Sequence, residues 1–246
     1  MHSFLLIGQS NMAGRGFLNE AKEIDTTHIF ILRNGRWQKM FRPVHPDRSF
    51  AGVCLAESFA EAYANKYGID VGLIPCADGG TSLDQWKKGE LLYDNAVNNA
   101  RLAMRTSTIA GILWHQGEAD ARPELASTYR VRFEEMIYQL QKDIGINVPV
   151  IIGELGSFLR NFSDGSLREY TLINSALKEI SDNNLSISLV SAEGLTSNPD
   201  NLHFTAESLY EFGLRYFAEF DKLHDFEKFN SATTAEDTKR TKMEEL

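Results

Sequence analysis

Short apolar runs alternate along the chain with longer segments whose apolar residues recur at helical spacing. The apolar runs cover residues 4–7, 71–75, 109–114, 148–153 and 187–190. A run of this length, bounded by turn residues, is typical of a strand buried in a parallel sheet. Two further β-prone runs, 28–32 and 36–40, flank Asn34 and Gly35, a pair that predicts a hairpin.

Helices are predicted between the strands, where apolar residues return every three or four positions. They cover residues 50–67, 89–105, 123–143 and 166–180, and a last helix starts near Thr205. Gly68 ends the first of them, and Ser166 with Glu169 has the spacing of a capping box. Strands that alternate with helices indicate an α/β fold with a doubly wound, mostly parallel sheet.

The chain is long enough for one large domain. It has 246 residues, of which 43% are hydrophobic, and α/β domains of this length commonly remain undivided. Apolar periodicity fades after residue 226, and charged residues are frequent towards the end. We therefore predict one domain over residues 1–226 and a charged C-terminal tail over 227–246.

The net charge of −9 and the pI near 5.2 argue against nucleic acid or an anionic membrane as the partner. The negative net charge favours a neutral small molecule or oligosaccharide as the substrate. No apolar run is long enough to span a membrane, and a strand begins by Ser3 without a basic leader, which favours a cytoplasmic protein. Cys54 and Cys76 are expected to be buried thiols rather than a disulfide.

Candidate chemistry gathers at the carboxyl ends of the predicted strands, where open parallel sheets bind ligands. Ser10 follows the first strand, a polar cluster at 115–120 follows another, and Asp200 and His203 follow the last. Such a set would supply a nucleophile, a base, an acid that orients the base and donors for an oxyanion. On the residues alone, Ser10 is equally a helix cap, and Asp200 and His203 are equally a turn residue and a surface histidine.

A zinc site is an alternative use of the polar cluster, because His115, Glu118 and Asp120 are residue types that bind this metal. Their spacing matches no recognised zinc motif, and a further histidine would be needed to complete the set. We therefore predict that the protein uses neither a metal nor another cofactor.

Four ordered blocks resemble the SGNH hydrolase superfamily. They are Gly-Gln-Ser-Asn-Met at 8–12, Gly-Gly-Thr-Ser at 79–82, Trp-His-Gln-Gly-Glu at 114–118 and Asp-x-x-His at 200–203. The chain is most similar to the branch of carbohydrate acetylesterases, which includes acetylxylan esterases and sialic-acid O-acetylesterases. The resemblance implies a three-layer α/β/α sandwich close to flavodoxin, and a serine esterase that removes O-acetyl groups from carbohydrate through an acyl-enzyme.

The resemblance also implies a catalytic role for each residue that matches a block. Ser10 would be the nucleophile and His203 the base, and Asp200 would orient His203. Glu118 would be a supporting or alternative acid.

An oxyanion hole and substrate contacts are implied as well. The hole would consist of the N–H groups of Ser10 and Gly80 (or Gly79) and the side chain of Gln116, where the wider superfamily has Asn. Gln9 and Trp86 are candidate substrate contacts. Trp86 would form a sugar-facing wall or else pack against the start of a helix.

Two alternative functions stay open on the sequence. One is a thioesterase or lysophospholipase of the same superfamily, although those enzymes usually carry Gly-Asp-Ser where this chain has Gly-Gln-Ser. The other is a flavodoxin-like module that binds flavin or phosphate between Gly8 and Gly16. That module leaves Asp200 and His203 unexplained, and the chain has no Gly-Lys-Ser/Thr motif.

Overall fold

A seven-stranded sheet runs through the protein, in a computed structural model that describes residues 1–224. The tail predicted over 227–246 lies outside the described residues. The strands are β1 (His2–Gly8), β2 (Ile29–Arg33), β3 (Arg36–Lys39), β4 (Val71–Pro75), β5 (Thr108–His115), β6 (Val150–Gly153) and β7 (Ile187–Val190).

The strand order is β3-β2-β4-β1-β5-β6-β7, and every neighbouring pair is parallel except the β2–β3 hairpin. The run β4-β1-β5-β6-β7 has the flavodoxin order 2-1-3-4-5. Asn34 and Gly35 take positive φ angles of 53° and 78° in the hairpin turn, which such two-residue turns require. The predicted hairpin is confirmed.

Seven α-helices lie within residues 1–224. They are α1 (Ser10–Ala13), α2 (Ala56–Tyr67), α3 (Leu91–Ala103), α4 (Pro123–Ala126), α5 (Tyr129–Ile144), α6 (Tyr170–Asp182) and α7 (Ala206–Leu223). Helix α2 packs on α7, and α5 packs on α3 and α6. The sheet lies between these two groups, so the predicted three-layer α/β/α fold is confirmed.

The central strand β1 is buried along its whole length, which explains its unbroken apolar sequence. The Phe4 ring meets the rings of Phe59 and Phe220 edge to face, at centroid distances of 4.8 and 5.2 Å. Gly111 in the neighbouring strand makes room for Phe220, because a Cβ at Gly111 would lie 2.7 Å from that ring. Strand β1 therefore places the loop of residues 9–16, which carries the candidate nucleophile Ser10 and is called the nucleophile loop below, directly after a fully buried strand.

The helix predicted over 50–67 begins only at Ala56. Residues 50–55 are drawn instead into pairing with the loop that follows Ser10. Gly52 donates its N–H to Gly14 O over 3.1 Å, and Val53 and Gly16 form an antiparallel bridge. This tertiary pairing overrides the helical pattern and closes one side of the nucleophile loop.

Two further helix boundaries differ from the prediction. The helix predicted over 123–143 is divided into α4 and α5 at residues 127–128. Helix α6 begins at Tyr170 rather than at Ser166, so the predicted capping box is wrong. Ser166 instead ends a 3₁₀ segment, Ser157–Gly165, and donates its N–H to Ser163 O over 3.2 Å.

Cys54 and Cys76 are both buried and unpaired, as predicted. Burial raises the pKa of the Cys76 thiol to about 12, so this side chain behaves as an apolar one. Among residues 1–224, no helix combines the length and the apolar character that a membrane crossing needs.

Candidate active site

The nucleophile loop starts where β1 ends at Gly8. Gly8 has a φ of 131°, and a Cβ there would lie 2.1 Å from His115 O. Only glycine fits this position, because the chain must turn while it touches β5. Gln9 then donates its N–H to His115 O over 2.9 Å. Ser10 follows at the first position of α1, with 5% of its surface exposed.

Ser10, His203 and Asp200 form a continuous hydrogen-bonded line. Ser10 Oγ lies 3.0 Å from His203 Nε2, and His203 Nδ1 lies 2.7 Å from Asp200 Oδ2. A carboxylate at Nδ1 holds the proton on that nitrogen, which leaves Nε2 free to accept the Ser10 hydroxyl proton. The structure thus brings together the three residues that the sequence assigned to catalysis.

Asp200 is held ionised by its own loop. Burial raises the pKa of its carboxyl group, but the N–H groups of His203 and Leu202 and the His203 ring outweigh burial, so the pKa lies below its usual range. Oδ1 accepts the N–H of Leu202 over 2.9 Å and that of His203 over 3.0 Å. Asp200 therefore stays negatively charged through mildly acidic pH.

Asn11 joins the nucleophile loop to the loop that carries His203. Its Nδ2 donates to Leu202 O over 3.1 Å, and its Oδ1 accepts the N–H of Phe204 over 3.1 Å. These two bonds hold the backbone on both sides of His203. No sequence pattern marks this role, although Asn11 stands inside the Gly-Gln-Ser-Asn-Met block.

Glu118 lies against Asn11 rather than against His203. Its Oε1 accepts a hydrogen bond from Asn11 Nδ2 over 2.5 Å and lies 3.8 Å from His115 Nδ1. The Glu118 side chain is buried. The expectation that Glu118 is a supporting or alternative acid for His203 is corrected. Asp200 contacts the imidazole, whereas Glu118 accepts a hydrogen bond from Asn11, which in turn bonds the backbone on both sides of His203.

Gln116 is not available as an oxyanion donor. Its Nε2 donates to Thr81 O over 3.0 Å and to Asp120 Oδ2 over 2.6 Å, so both amide hydrogens are in use. Its Oε1 accepts from the Tyr129 hydroxyl over 3.1 Å. This corrects the expected role, since the buried Gln116 ties together the loops that surround the site.

The glycine pair at 79–80 lies beside Ser10, because a Cβ at Gly79 would approach Ser10 Cβ to 3.5 Å. The Gly79 N–H is taken, since it donates to Asp47 Oδ2 over 2.9 Å. The Gly80 N–H has no acceptor among residues 1–224. The N–H of Ser10 opens α1 and has no acceptor within that helix. The N–H groups of Ser10 and Gly80 are therefore the candidate oxyanion donors.

Neither predicted substrate contact faces the site. Gln9 is buried, and its Oε1 accepts the N–H groups of Gly117 and Ala119 over 3.5 and 3.2 Å. Trp86 is fully buried, meets the Trp114 ring edge to face at 5.6 Å and donates to Thr81 over 3.2 Å. Of the two interpretations of Trp86, packing is correct and the sugar-facing wall is wrong.

A groove of about 400 Å³ opens beside His203 and Asp200. Its other walls come from residues 15–19, 49–52 and Asn198. Three apolar side chains in these walls face solvent: Phe17, Leu18 and Phe50, with 45%, 48% and 68% of their surface exposed. No sequence motif marks these residues, but exposed aromatic side chains in a loop beside the site are the kind of signal that binding surfaces give.

The alternative zinc set is not assembled. Burial lowers the pKa of His115, and its Nε2 lies 3.2 Å from Glu154 O. Asp120 accepts from Gln116, Arg132 and the Leu83 N–H. Within the described part of the chain, no group of three or more His, Cys, Asp or Glu side chains is arranged to hold a metal ion.

Proteins of similar sequence and structure include carbohydrate esterases. A probable carbohydrate esterase of Arabidopsis thaliana is 29% identical over 238 residues, which cover 86% of this chain and 86% of that protein. The crystal structure of an Arabidopsis thaliana protein superposes with a TM-score of 0.79 and 27% identity, over 90% of this chain and 98% of that one. A carbohydrate acetylesterase from Xanthomonas citri shares the fold, with a TM-score of 0.68, 18% identity and coverage of 90% and 56%.

The family model of carbohydrate esterases described as sialic acid-specific acetylesterases matches residues 1–222. This match covers the whole sheet and every residue of the candidate site. It agrees with the resemblance to the carbohydrate acetylesterase branch of the SGNH superfamily and rules out the flavin- or phosphate-binding module. The chain therefore belongs to the sialic acid-specific acetylesterase family of carbohydrate esterases and is a carboxylic ester hydrolase.

Proposed function

We propose that this enzyme removes O-acetyl groups from carbohydrate by a serine acyl-enzyme mechanism. The observation that carries the proposal is the line from Ser10 Oγ through His203 to Asp200, with distances of 3.0 and 2.7 Å, at the edge of an open groove. This arrangement has the geometry of an activated nucleophile.

In the first half of the reaction, Ser10 Oγ attacks the acetyl carbonyl carbon while His203 Nε2 takes the hydroxyl proton. The carbonyl oxygen becomes an oxyanion, which accepts hydrogen bonds from the N–H groups of Ser10 and Gly80. His203 then gives its proton to the sugar oxygen as the ester bond breaks, and the acetyl group stays on Ser10.

In the second half, a water molecule takes the place of the sugar. His203 accepts a proton from this water as its oxygen attacks the acetyl-Ser10 carbonyl. The proton returns to Ser10 Oγ when acetate leaves. Asp200 keeps its charge throughout and stabilises the imidazolium that forms twice in each cycle.

The groove is the proposed site of the leaving sugar, because His203 lies in its wall and must protonate the sugar oxygen. Phe17, Leu18 and Phe50 offer apolar surface to the C–H faces of a sugar ring. The names of the relatives support carbohydrate over a thioester or a lysophospholipid.

Ser10→Ala tests the mechanism. We expect hydrolysis of an aryl acetate to fall about 10³-fold or more with an unchanged melting temperature. The matched control is Ser175→Ala, because Ser175 is an exposed serine on α6. A phosphonate ester should add covalently to wild type at Ser10 and leave the Ser10→Ala variant unmodified. Near wild-type turnover by folded Ser10→Ala would refute the mechanism.

The substrate class needs a separate experiment. Acetate release should be measured from acetylated xylo-oligosaccharides and O-acetylated sialic acids, and release of the acyl group as its carboxylic acid should be measured from an acyl thioester and a lysophospholipid. The proposal expects the highest kcat/KM on an acetylated sugar. Faster turnover of the thioester or the lysophospholipid would assign the alternative function.

A further inference from the structure

The peptide between Gly79 and Gly80 carries one of the two proposed oxyanion donors, and its carbonyl is held by Arg48. Arg48 Nη2 donates to Gly79 O over 2.8 Å. In a planar trans peptide, the C=O of one residue and the N–H of the next point in opposite directions. A bond that fixes the direction of Gly79 O therefore also fixes the direction of the Gly80 N–H.

The preceding peptide is held as well. Asp47 Oδ2 accepts the Gly79 N–H over 2.9 Å and lies 2.6 Å from Arg15 Nη2. The Arg15 and Asp47 side chains are 5% and 4% exposed, and a buried ion pair of this kind holds one geometry. Asp47 and Arg48, which are adjacent in sequence, thus hold the two polar groups of Gly79 from one loop.

Packing restrains this peptide at one end only: a Cβ at Gly79 would lie 2.5 Å from Arg15 Nη2, whereas the surroundings of Gly80 are open, so hydrogen bonds set the direction of the 79–80 peptide. Two glycines in succession leave the intervening peptide free to rotate, since neither Cβ restricts φ and ψ. Gly80 has a φ of 78°, and no atom lies within 4 Å of the position where its Cβ would be. If Gly79 O loses its donor, the 79–80 peptide can turn the Gly80 N–H away from Ser10.

We propose that Arg48 is a positioning residue for the oxyanion hole, which acts through the Gly79 carbonyl. Arg48 also donates to Asp78 Oδ1 over 3.0 Å and to Asp47 O over 2.7 Å, so its partly exposed guanidinium has three acceptors on this side of the site. The inference rests on the proposed function and adds to it a residue that no catalytic block of the sequence contains.

The proposal predicts a specific kinetic signature. An oxyanion donor stabilises the transition state more than the bound substrate, so its loss lowers kcat and leaves KM nearly unchanged. Removal of one such donor directly costs about 10²–10³-fold in kcat. For Arg48→Ala, which misdirects the donor without removing it, we expect a smaller effect, a kcat about 10–100-fold lower.

Arg48→Ala and Arg48→Lys should be compared with Arg215→Ala. Arg215 is a matched control because it also bonds one carboxylate and two backbone carbonyls, those of Ser191 and Glu193, but on α7. The measurements are kcat and KM for an aryl acetate, and the affinity for an aryl trifluoromethyl ketone, which forms an oxyanion on the serine. The ketone affinity should fall with kcat in Arg48→Ala, recover in part in Arg48→Lys and stay unchanged in Arg215→Ala.

Every outcome of this comparison either supports or overturns the positioning role of Arg48. Wild-type kcat in Arg48→Ala, or a lower kcat without weaker ketone binding, overturns the role of Arg48. If Arg48→Ala does not fold, the same comparison is made with Arg48→Lys and Arg48→Gln. Failure of the proposed function looks different, because Ser10→Ala would then stay active and wild type would form no ketone adduct.

Discussion

At the scale of single residues, two carboxylates near the nucleophile have separate tasks. Asp200 is three positions from His203, and its Oδ2 contacts the ring while its Oδ1 accepts the His203 N–H. Glu118 comes from the loop after β5 and accepts from Asn11, which in turn bonds the backbone on both sides of His203. Asp200 thus acts on the imidazole directly, whereas Glu118 acts on it through Asn11.

This division predicts different kinetic effects for the two isosteric changes. Asp200→Asn should lower kcat severely at neutral pH, because loss of the carboxylate in a Ser-His-Asp site can cost about 10⁴-fold. Glu118→Gln should cost much less, since a Gln Oε1 still accepts the bond from Asn11. Kinetics on an aryl acetate at pH 7 would measure both.

Glu118→Ala is the informative companion, because it removes the acceptor altogether and should be slower than Glu118→Gln. Equal melting temperatures of Asp200→Asn and wild type would show that the loss is chemical. A crippled Glu118→Gln together with a normal Asp200→Asn would reverse the two assignments.

The sequence was informative about residues whose role depends on backbone position, and less so about side chains whose direction decides their role. Ser10, Asp200 and His203 meet because strand ends and a three-residue spacing place them together. Gln116 and Trp86 occupy the predicted loops, but their side chains turn inward. Whether an amide or an indole faces the groove depends on tertiary neighbours such as Tyr129 and Trp114, which a motif does not contain.

At the level of secondary-structure elements, the apolar runs located β1, β4, β5, β6 and β7 within a few residues, because a strand buried in a parallel sheet has a nearly continuous apolar sequence. The hairpin strands β2 and β3 were located by the Asn34-Gly35 turn instead. Helix ends were less predictable. Residues 50–55 pair with the nucleophile loop, and Ser166 completes a 3₁₀ segment. In both places, backbone hydrogen bonds to distant or irregular partners replaced the helix that local spacing favoured.

The close contact between Gly111 in β5 and Phe220 in α7 leads to a prediction about stability. Gly111→Ala should lower the free energy of unfolding by about 1–3 kcal/mol, the usual cost of overpacking. The reason is that its Cβ would lie 2.7 Å from the Phe220 ring and 3.3 Å from Phe4. Urea denaturation would measure the change.

The same Gly111→Ala substitution should also be made in a Phe220→Leu variant, because leucine replaces the ring that the new methyl group contacts. Gly111→Ala should cost less in that background than in wild type, because residues in contact are energetically coupled. An identical cost in both backgrounds would show that the strain arises elsewhere.

At the scale of the whole molecule, the strand order explains why one site forms. Strands β4, β1 and β5 are neighbours, and the loops at their carboxyl ends carry Gly79, Ser10 and Gln116. The loop after β7 adds Asp200 and His203 across the same edge. The fold also contains three buried histidines, which are His2, His45 and His115.

Because these histidines are buried, we expect acid to lower the free energy of unfolding at pH values well above those at which carboxylates titrate. Burial lowers the pKa of His2 and of His45 to about 4, and it also lowers that of His115. An unfolded histidine takes up its proton near pH 6.5. Between about pH 6.5 and pH 4 the unfolded state therefore binds more protons at His2 and His45. As the pH is lowered through this window, the free energy of unfolding decreases by up to about 1.4 kcal/mol per pH unit for each of these two histidines.

Urea denaturation at pH 7, 6 and 5 would measure this slope, and His45→Leu isolates one contribution. His45 lies beside Asp47 and Arg15, whose opposite charges raise and lower its pKa, so burial sets the direction of the shift. The variant should lose about 1.4 kcal/mol per pH unit from the slope. A slope in His45→Leu equal to that of wild type would show that His45 is already protonated in the folded protein.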